Sequence, residues 1–255
     1  MKEGYAVLVI PDLQVPRHAK AALRAVLRYA ADERWDRIVL LGDMMDFAQV
    51  SRWVKDQPEE LSKSLAGDYK VGNQVLDDIQ KAGRAKNKNV RFDITLGNHC
   101  IRPELFTKQF PQLRGLIEIE HGLRFKERGI KITRSYPDGD LLQIGKAYFH
   151  HGLYVGGSHA KKHVENFGRN IFYGHTHTVQ SHTKAMFGKR NVIMAESLGC
   201  LCDMDLDYIG KNPKDWVHAF ATFHFQKDGS FNHYTTRIFD NSFIAPNKKR
   251  YDGKR

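Results

Sequence analysis

The chain has 255 residues, 41% of them hydrophobic and 27% charged, and 40 Lys and Arg against 29 Asp and Glu give it a formal net charge of +11. A chain of this length buries roughly 70–75% of the surface it exposes when unfolded, which excludes a stapled miniature scaffold. No apolar run approaches the roughly 18–20 residues of a membrane span, and the start lacks the basic, apolar, small-residue order of a signal peptide, so no membrane association is expected.

In chain order, Tyr5–Ile10 is a short apolar and β-branched run closed by Pro11, and Ala19–Ala31 follows with apolar residues at Ala22, Leu23, Val26, Leu27 and Ala30. This spacing predicts a strand, a loop and a helix. Arg37–Leu41 is a second buried strand ending at Gly42, a helical stretch runs from about Pro58 to Ala85, and Val90–Leu96 is a third strand ending at Gly97. Strands that alternate with helices predict a parallel sheet. After an irregular and helical middle, roughly Arg102–Arg128, short strands are expected near Ile130–Arg134, Leu141–Ile144 and Ala147–His150, and a helix over Ser158–Asn166. Asn170–Tyr173, Val179–Met186, Val192–Ser197, Val217–Gln226 and Phe231–Phe239 then read as strands of an antiparallel or mixed sheet, with Asp228-Gly229 as a hairpin turn. No linker or repeat divides the chain. The expectation is a single domain over residues 1–245 and a basic tail over 246–255, carrying Lys248, Lys249, Arg250, Lys254 and Arg255, that reads as a solvated terminus or a nucleic-acid arm.

The ligand-type residues fall just after strands: Asp12 and Gln14 after the first, Asp43 and Asp46 after the second, Asn98 and His99 after the third. His151-Gly152 and Gly174-His175-Thr176-His177 follow two later strands. In an open α/β sheet the carboxyl ends of strands form the crevice where ligands bind, so separate loops deliver these side chains to one place. Carboxylates, amide oxygens and imidazoles together suit borderline divalent metals better than Ca²⁺. Two such ions about 3.5–4 Å apart are a standard device for phosphoester hydrolysis. Taken singly, Asp12 and Asp43 could be turn or cap residues and Asn98 a left-handed turn residue; their joint occurrence favours a metal site.

The segments Asp12-Leu13-Gln14, Gly42-Asp43-Met44-Met45-Asp46, Gly97-Asn98-His99, His151-Gly152 and Gly174-His175-Thr176-His177 resemble the ordered motifs of the calcineurin-like metallophosphoesterases. The opening Pro11–His18 is most similar to phage and prophage members. The resemblance implies a four-layer α/β/β/α sandwich with two mixed β-sheets and the site at the sheet edge. It implies one metal held by Asp12, Gln14, Asp43 and His177 and another by Asp43, Asn98, His151 and His175, with Asp43 bridging. His99 would then be the general acid, oriented by Asp46, while a metal-bridging hydroxide attacks phosphorus. Gln14 departs from the usual Asp-x-His, which points to weaker binding or a harder ion, so Mn²⁺ is expected with Fe²⁺, Zn²⁺ or Mg²⁺ as alternatives. His18 could compensate for Gln14 or face substrate. Arg102 could grip a phosphate or make a salt bridge at a helix start.

Other residues read as structural. His159 and His163, at i and i+4 on a helix, read as a solvated face, and His150 as a core residue pointing away from His151. The cysteines Cys100, Cys200 and Cys202 form no C-x-x-C pair, which argues against a zinc knuckle and for a reducing compartment, the cytoplasm, or the host's for a phage protein. Among aromatics, Tyr154, Tyr173, Phe187, Tyr208 and Trp216 could stack on bases. The positive charge favours nucleic acid or a nucleotide phosphoester as substrate, hence a phosphodiesterase or nuclease. A phosphomonoesterase is the alternative, although Phe47 stands where protein phosphatases resemble GD-x-V-D-R-G with its Arg. A non-catalytic scaffold with a weakened metal site is the second alternative.

Overall fold

Residues 4–52, 64–186, 192–204 and 214–254 are described in the computed structural model of the chain. Its first sheet is built from β1 (Gly4–Pro11), β2 (Arg37–Leu41), β3 (Arg91–Thr95) and β4 (Ile130–Thr133), all parallel, extended past β1 by β10 (Ala219–Gln226) and β11 (Phe231–Arg237), both paired antiparallel. The second sheet has the order β5 (Leu142–Ile144), β6 (Ala147–His150), β7 (Ile171–Tyr173), β9 (Val192–Leu198), β8 (Val179–Ala185), with β6, β7 and β9 parallel. Both sheets are therefore mixed.

The period-two alternation of the central strands decides what lies on each side. On one face of β1 and β2, Leu8, Ile10, Ile38 and Leu40 join a core completed by α1 (Lys20–Asp32) and α2 (Leu65–Arg84) through Val26, Tyr29, Val75 and Ile79. On the other face, Val7, Val9, Val39 and Leu41 meet Phe149, Phe172 and Leu198 of the second sheet. The outer face of that sheet is covered by α6 (His159–Phe167), whose Val164 packs with Ile171, Tyr173 and Ala195. The layers run helix, sheet, sheet, helix, the four-layer α/β/β/α sandwich. Each fully buried Phe or Leu between the sheets contributes about 1.5–3 kcal/mol relative to exposure. Among the described residues no helix is long and apolar enough to cross a membrane.

The middle of the chain forms α3 (Arg102–Gln109) and two single-turn helices, α4 (Ile119–Gly122) and α5 (Phe125–Arg128). The helix expected from Pro58 begins at Leu65, where Ser64 caps it by accepting from the Gly67 amide at 3.2 Å; residues 53–63 lie outside the described residues. The basic segment expected as a tail at 246–255 instead folds back. β13 (Arg250–Asp252) pairs antiparallel with β12 (Ser242–Ile244), Tyr251 is buried against Tyr29 and Phe243, and Arg24 of α1 donates to the Gly253 carbonyl at 2.9 Å. The apolar Phe243 and Tyr251 outweigh the surrounding charge, because their rings complete the core on α1.

Candidate metal centre and its His–Asp pair

The loops after β1, β2, β3, β6 and β7 meet at one edge of the two sheets and bring together Asp12, Gln14, Asp43, Asn98, His151, His175 and His177. The backbone there is unusual: Asp12, Gln14, Asp43, His175 and His177 have φ between +35° and +67°, the left-handed region that side chains with a Cβ seldom occupy. Two glycines make the convergence possible. A Cβ on Gly97 would lie 2.1 Å from Asp43 Oδ1, and one on Gly174 would lie 2.0 Å from Asp12 Oδ2. The close approach lets the His99 amide donate to Asp43 Oδ1 at 2.8 Å and the His175 amide to Asp12 Oδ2 at 3.0 Å, which fixes both carboxylates.

Around Asp43, His151 Nε2 lies 3.1 Å from Oδ2 and donates to Asn98 Oδ1 at 3.0 Å, and Asp43, His151 and His175 form a group able to hold a metal ion. Around Asp12, His177 Nε2 lies 3.5 Å from Oδ1, and the Gln14 amide nitrogen is 3.3 Å from the same ring nitrogen. Gln14 Oε1 and His151 Nδ1 are buried with no hydrogen-bond partner. Buried polar atoms of this kind are otherwise satisfied in folded proteins, and a divalent cation bound among these residues would give Gln14 Oε1 a partner. The donor set of carboxylates, amide oxygens and imidazoles fits such an ion.

The electrostatics of the site are set by its charged and hydrogen-bonding neighbours. Burial acts to raise the Asp43 carboxyl, but the electrostatic influence of the neighbouring His151 and His99 rings and the hydrogen bond from His151 outweigh it and hold the group well below the usual carboxylate range. Burial acts to lower His177, yet Cys202 and Asp12 lift it to about 10, whereas His175 is pushed down to about 4 by burial and by His151. Beside this cluster His99 Nδ1–H donates to Asp46 Oδ1 at 2.9 Å. Burial would raise Asp46, but the hydrogen bond from His99 and the charges of His99, Arg102 and Arg17 lower it.

The sequence-level assignments for Arg102 and His18 resolve differently. Arg102, at the first turn of α3, donates to the Asp46 carbonyl at 2.7 Å, to Asp46 Oδ1 at 3.2 Å and to His99 Nε2 at 2.9 Å, so the helix-start salt bridge is present and lies inside the site. His18 does not join Gln14; its backbone forms an antiparallel bridge with Cys202, and its Nδ1 is buried without a partner. Trp216 stands edge-on to the His177 ring at 4.3 Å between centroids, with Lys214 Nζ 5.4 Å from the indole. Of the other aromatics, Tyr173 is buried and Phe187 and Tyr208 lie outside the described residues.

One further expectation is corrected. His159 and His163 are not a solvated face: both are buried, with His159 Nδ1 bonded to the Tyr173 hydroxyl and His163 stacked on the Tyr173 ring at 3.7 Å. They alternate with Ala160 and Val164 on the face of α6 that covers the second sheet, and their ring nitrogens all find partners there. Sequence reasoning also missed Cys200 and Cys202, which converge on His177. Their i, i+2 spacing just after β9 was the available signal.

No family model matches the chain. It is similar to the Gene 54 protein of Mycobacterium phage L5, 26% identical over 231 residues that cover 84% of this chain and 87% of that protein. Among solved structures it is similar to a metallophosphoesterase from Sphaerobacter thermophilus, at 17% identity with a TM-score of 0.46 over 92% of this chain and 88% of that one. It is also similar to wild-type Vps29 complexed with Zn²⁺ from Entamoeba histolytica, at 15% identity with a TM-score of 0.44 over 97% and 99% of the two chains. In the order of its motifs and in the two mixed sheets whose strand ends bring them together, the chain resembles the calcineurin-like metallophosphoesterases, phage members included.

Proposed function

We propose that the chain is a metal-dependent phosphoesterase that cleaves phosphodiesters in nucleic acid. The observation that supports it most is the convergence of Asp12, Gln14, Asp43, Asn98, His151, His175 and His177 next to a His99–Asp46 pair at 2.9 Å. In this reading Asp12, Gln14, Asp43 and His177 hold one divalent ion and Asp43, Asn98, His151 and His175 a second, with Mn²⁺ favoured because an amide oxygen stands where an imidazole is usual. Bound there, such ions acidify water and neutralise phosphoryl charge.

The chain's own residues supply the rest. Asp46 holds the His99 ring in one tautomer, with Nε2 on the side of Asp43, 3.9 Å from its Oδ2. Arg102 donates to that Nε2, and an arriving phosphate is the stronger acceptor, so substrate draws the guanidinium onto its own oxygen. This frees Nε2 to take up a proton from solvent, which His99 then delivers to the departing oxygen. Trp216 beside His177, with Lys214 over its ring, offers a stacking face and a positive charge where a nucleotide would extend, and the net charge of +11 favours a polyanion. Monoester hydrolysis is favoured by one observation: Arg17 and Arg102 both reach Asp46, and two guanidiniums suit a terminal phosphate dianion.

The test is hydrolysis of bis-p-nitrophenyl phosphate beside p-nitrophenyl phosphate with Mn²⁺, followed by single-stranded DNA and RNA, with Asp43→Ala as control. Diester turnover that disappears in the control is expected. Monoester preference would transfer the reading to a phosphatase, and silence on both would leave a scaffold.

A further inference from the structure

His177 has two ring nitrogens, and they face different chemistry. Nε2 looks toward Asp12 Oδ1 and the Gln14 amide, at 3.5 and 3.3 Å. Nδ1, on the other side of the ring, meets Cys202 Sγ at 3.6 Å. The Cys202 thiol is in turn hydrogen-bonded to that of Cys200, and one donor atom from each of His177, Cys200 and Cys202 lies within 4.8 Å of the others. All three side chains are buried, and both cysteines are free thiols.

The local backbone explains the pairing. After β9 the chain turns at Gly199 (φ +76°) and runs on, with Cys200 bridged to His218 and Cys202 bridged to His18. In an extended segment residues i and i+2 share a face, so both thiols point the same way. His18, whose backbone is bridged to Cys202, has a buried Nδ1 without a partner.

We propose that His177, Cys200 and Cys202 form a binding site for a soft divalent ion, zinc by preference, distinct from the carboxylate–imidazole centre on the opposite ring nitrogen. Two thiols and an imidazole are the donor set that selects zinc over harder ions. The geometry agrees: tetrahedral zinc with Zn–S of about 2.3 Å and Zn–N of about 2.0–2.1 Å has an S···N edge of about 3.5 Å, close to the 3.6 Å between Cys202 Sγ and His177 Nδ1. Binding displaces the thiol protons to solvent. With Nδ1 so engaged, the ring proton sits on Nε2 facing Asp12, and Nε2 can join the neighbouring centre only by releasing that proton to solvent and bridging as an imidazolate, so occupancy of the sulfur site tunes that centre. The site does not depend on the phosphoesterase reading.

The experiment uses the full chain, reduced with a non-chelating phosphine, stripped of metal and titrated with Co²⁺ as the optical stand-in for zinc. A near-ultraviolet thiolate-to-cobalt charge-transfer band that saturates stoichiometrically and is erased by added Zn²⁺ is expected. The band should be lost in Cys200→Ser and in Cys202→Ser, and retained in Asp43→Ala and in Cys100→Ser. A wild-type protein without the band overturns the proposal whatever the variants do, and leaves Cys202 as a hydrogen-bonding partner of His177 only. A band that persists in either serine variant, or that vanishes in Cys100→Ser, also overturns it. Far-ultraviolet circular dichroism checks that each variant is folded. Asp43→Ala separates the two centres, since it removes the carboxylate bridge and leaves the sulfur donors intact.

Discussion

The imidazole of His99 has a neighbour on each nitrogen, Asp46 on Nδ1 and Arg102 on Nε2, and neither neighbour can be exchanged for the other. A carboxylate only accepts from the ring and a guanidinium only donates to it, so the tautomer is settled by the pair. His99→Ala should therefore lower turnover by about 10²–10⁴-fold while metal content stays near that of the wild type, read by steady-state kinetics beside elemental analysis. Loss of metal as well would make His99 a ligand. Gly97 makes the complementary point, because its value is the space it leaves: a methyl group would stand 2.1 Å from Asp43 Oδ1. Gly97→Ala should release bound Mn²⁺ on dialysis even though no donor atom has been removed, and retained stoichiometry would contradict that account. The motifs were legible in the sequence because each follows an apolar run, and all but the first, which follows Pro11, contain a glycine. The role of Arg102 was open between a phosphate and a salt bridge, because only the α3 start, folded against Asp46, brings its guanidinium to His99.

Among the elements, β1, β2, β3 and α1 could be read from local patterning, since each carries its own apolar signal. Which sheet a strand joins could not, because β4 and β5 have similar short patterns and are separated only by long-range pairing. α6 was placed correctly and its histidines wrongly, since an i, i+4 pair of histidines looks the same whether it faces water or a sheet. Here the His163 Nδ1–H donates to the His159 carbonyl at 2.8 Å, and Nε2 accepts from the Leu153 amide at 3.0 Å, two residues past His151. Burial pushes His163 down to about 4, against about 6.5 when unfolded. The unfolded chain therefore takes up the proton first, so the contribution is whole above pH about 6.5 and is lost progressively as pH falls toward about 4. The urea midpoint of the wild type should fall through that window, and His163→Gln should remove up to about 1.4 kcal/mol per pH unit of the slope. An unchanged slope would show that His163 does not titrate with folding.

At the scale of the molecule, the crevice is placed by the stacking of two sheets whose parallel strands end at the same edge. Stability and chemistry are thus separable in space. The β12–β13 hairpin lies against α1 rather than beside the ligands, and Tyr251 packs there between Tyr29 and Phe243. Tyr251→Ala should lower unfolding free energy by about 3 kcal/mol with kcat unchanged below the new Tm; a fall in kcat at full folding would tie the hairpin to the site. Conversely, an ion that binds the folded chain alone raises its apparent stability by mass action. Mn²⁺ should raise Tm in the wild type and leave that of Asp43→Ala where it was.

The left-handed backbone at Asp12, Gln14, Asp43, His175 and His177 has an evolutionary side. Each such residue holds a conformation that disfavours the protein by about 1–3 kcal/mol, and glycine would relieve it without disturbing either sheet. Selection for robustness alone would accordingly discard these donors first. Carrying donors rather than glycine at all five positions, the chain accepts that cost at the crevice, and each glycine replacement there should give a sturdier sandwich with a poorer site.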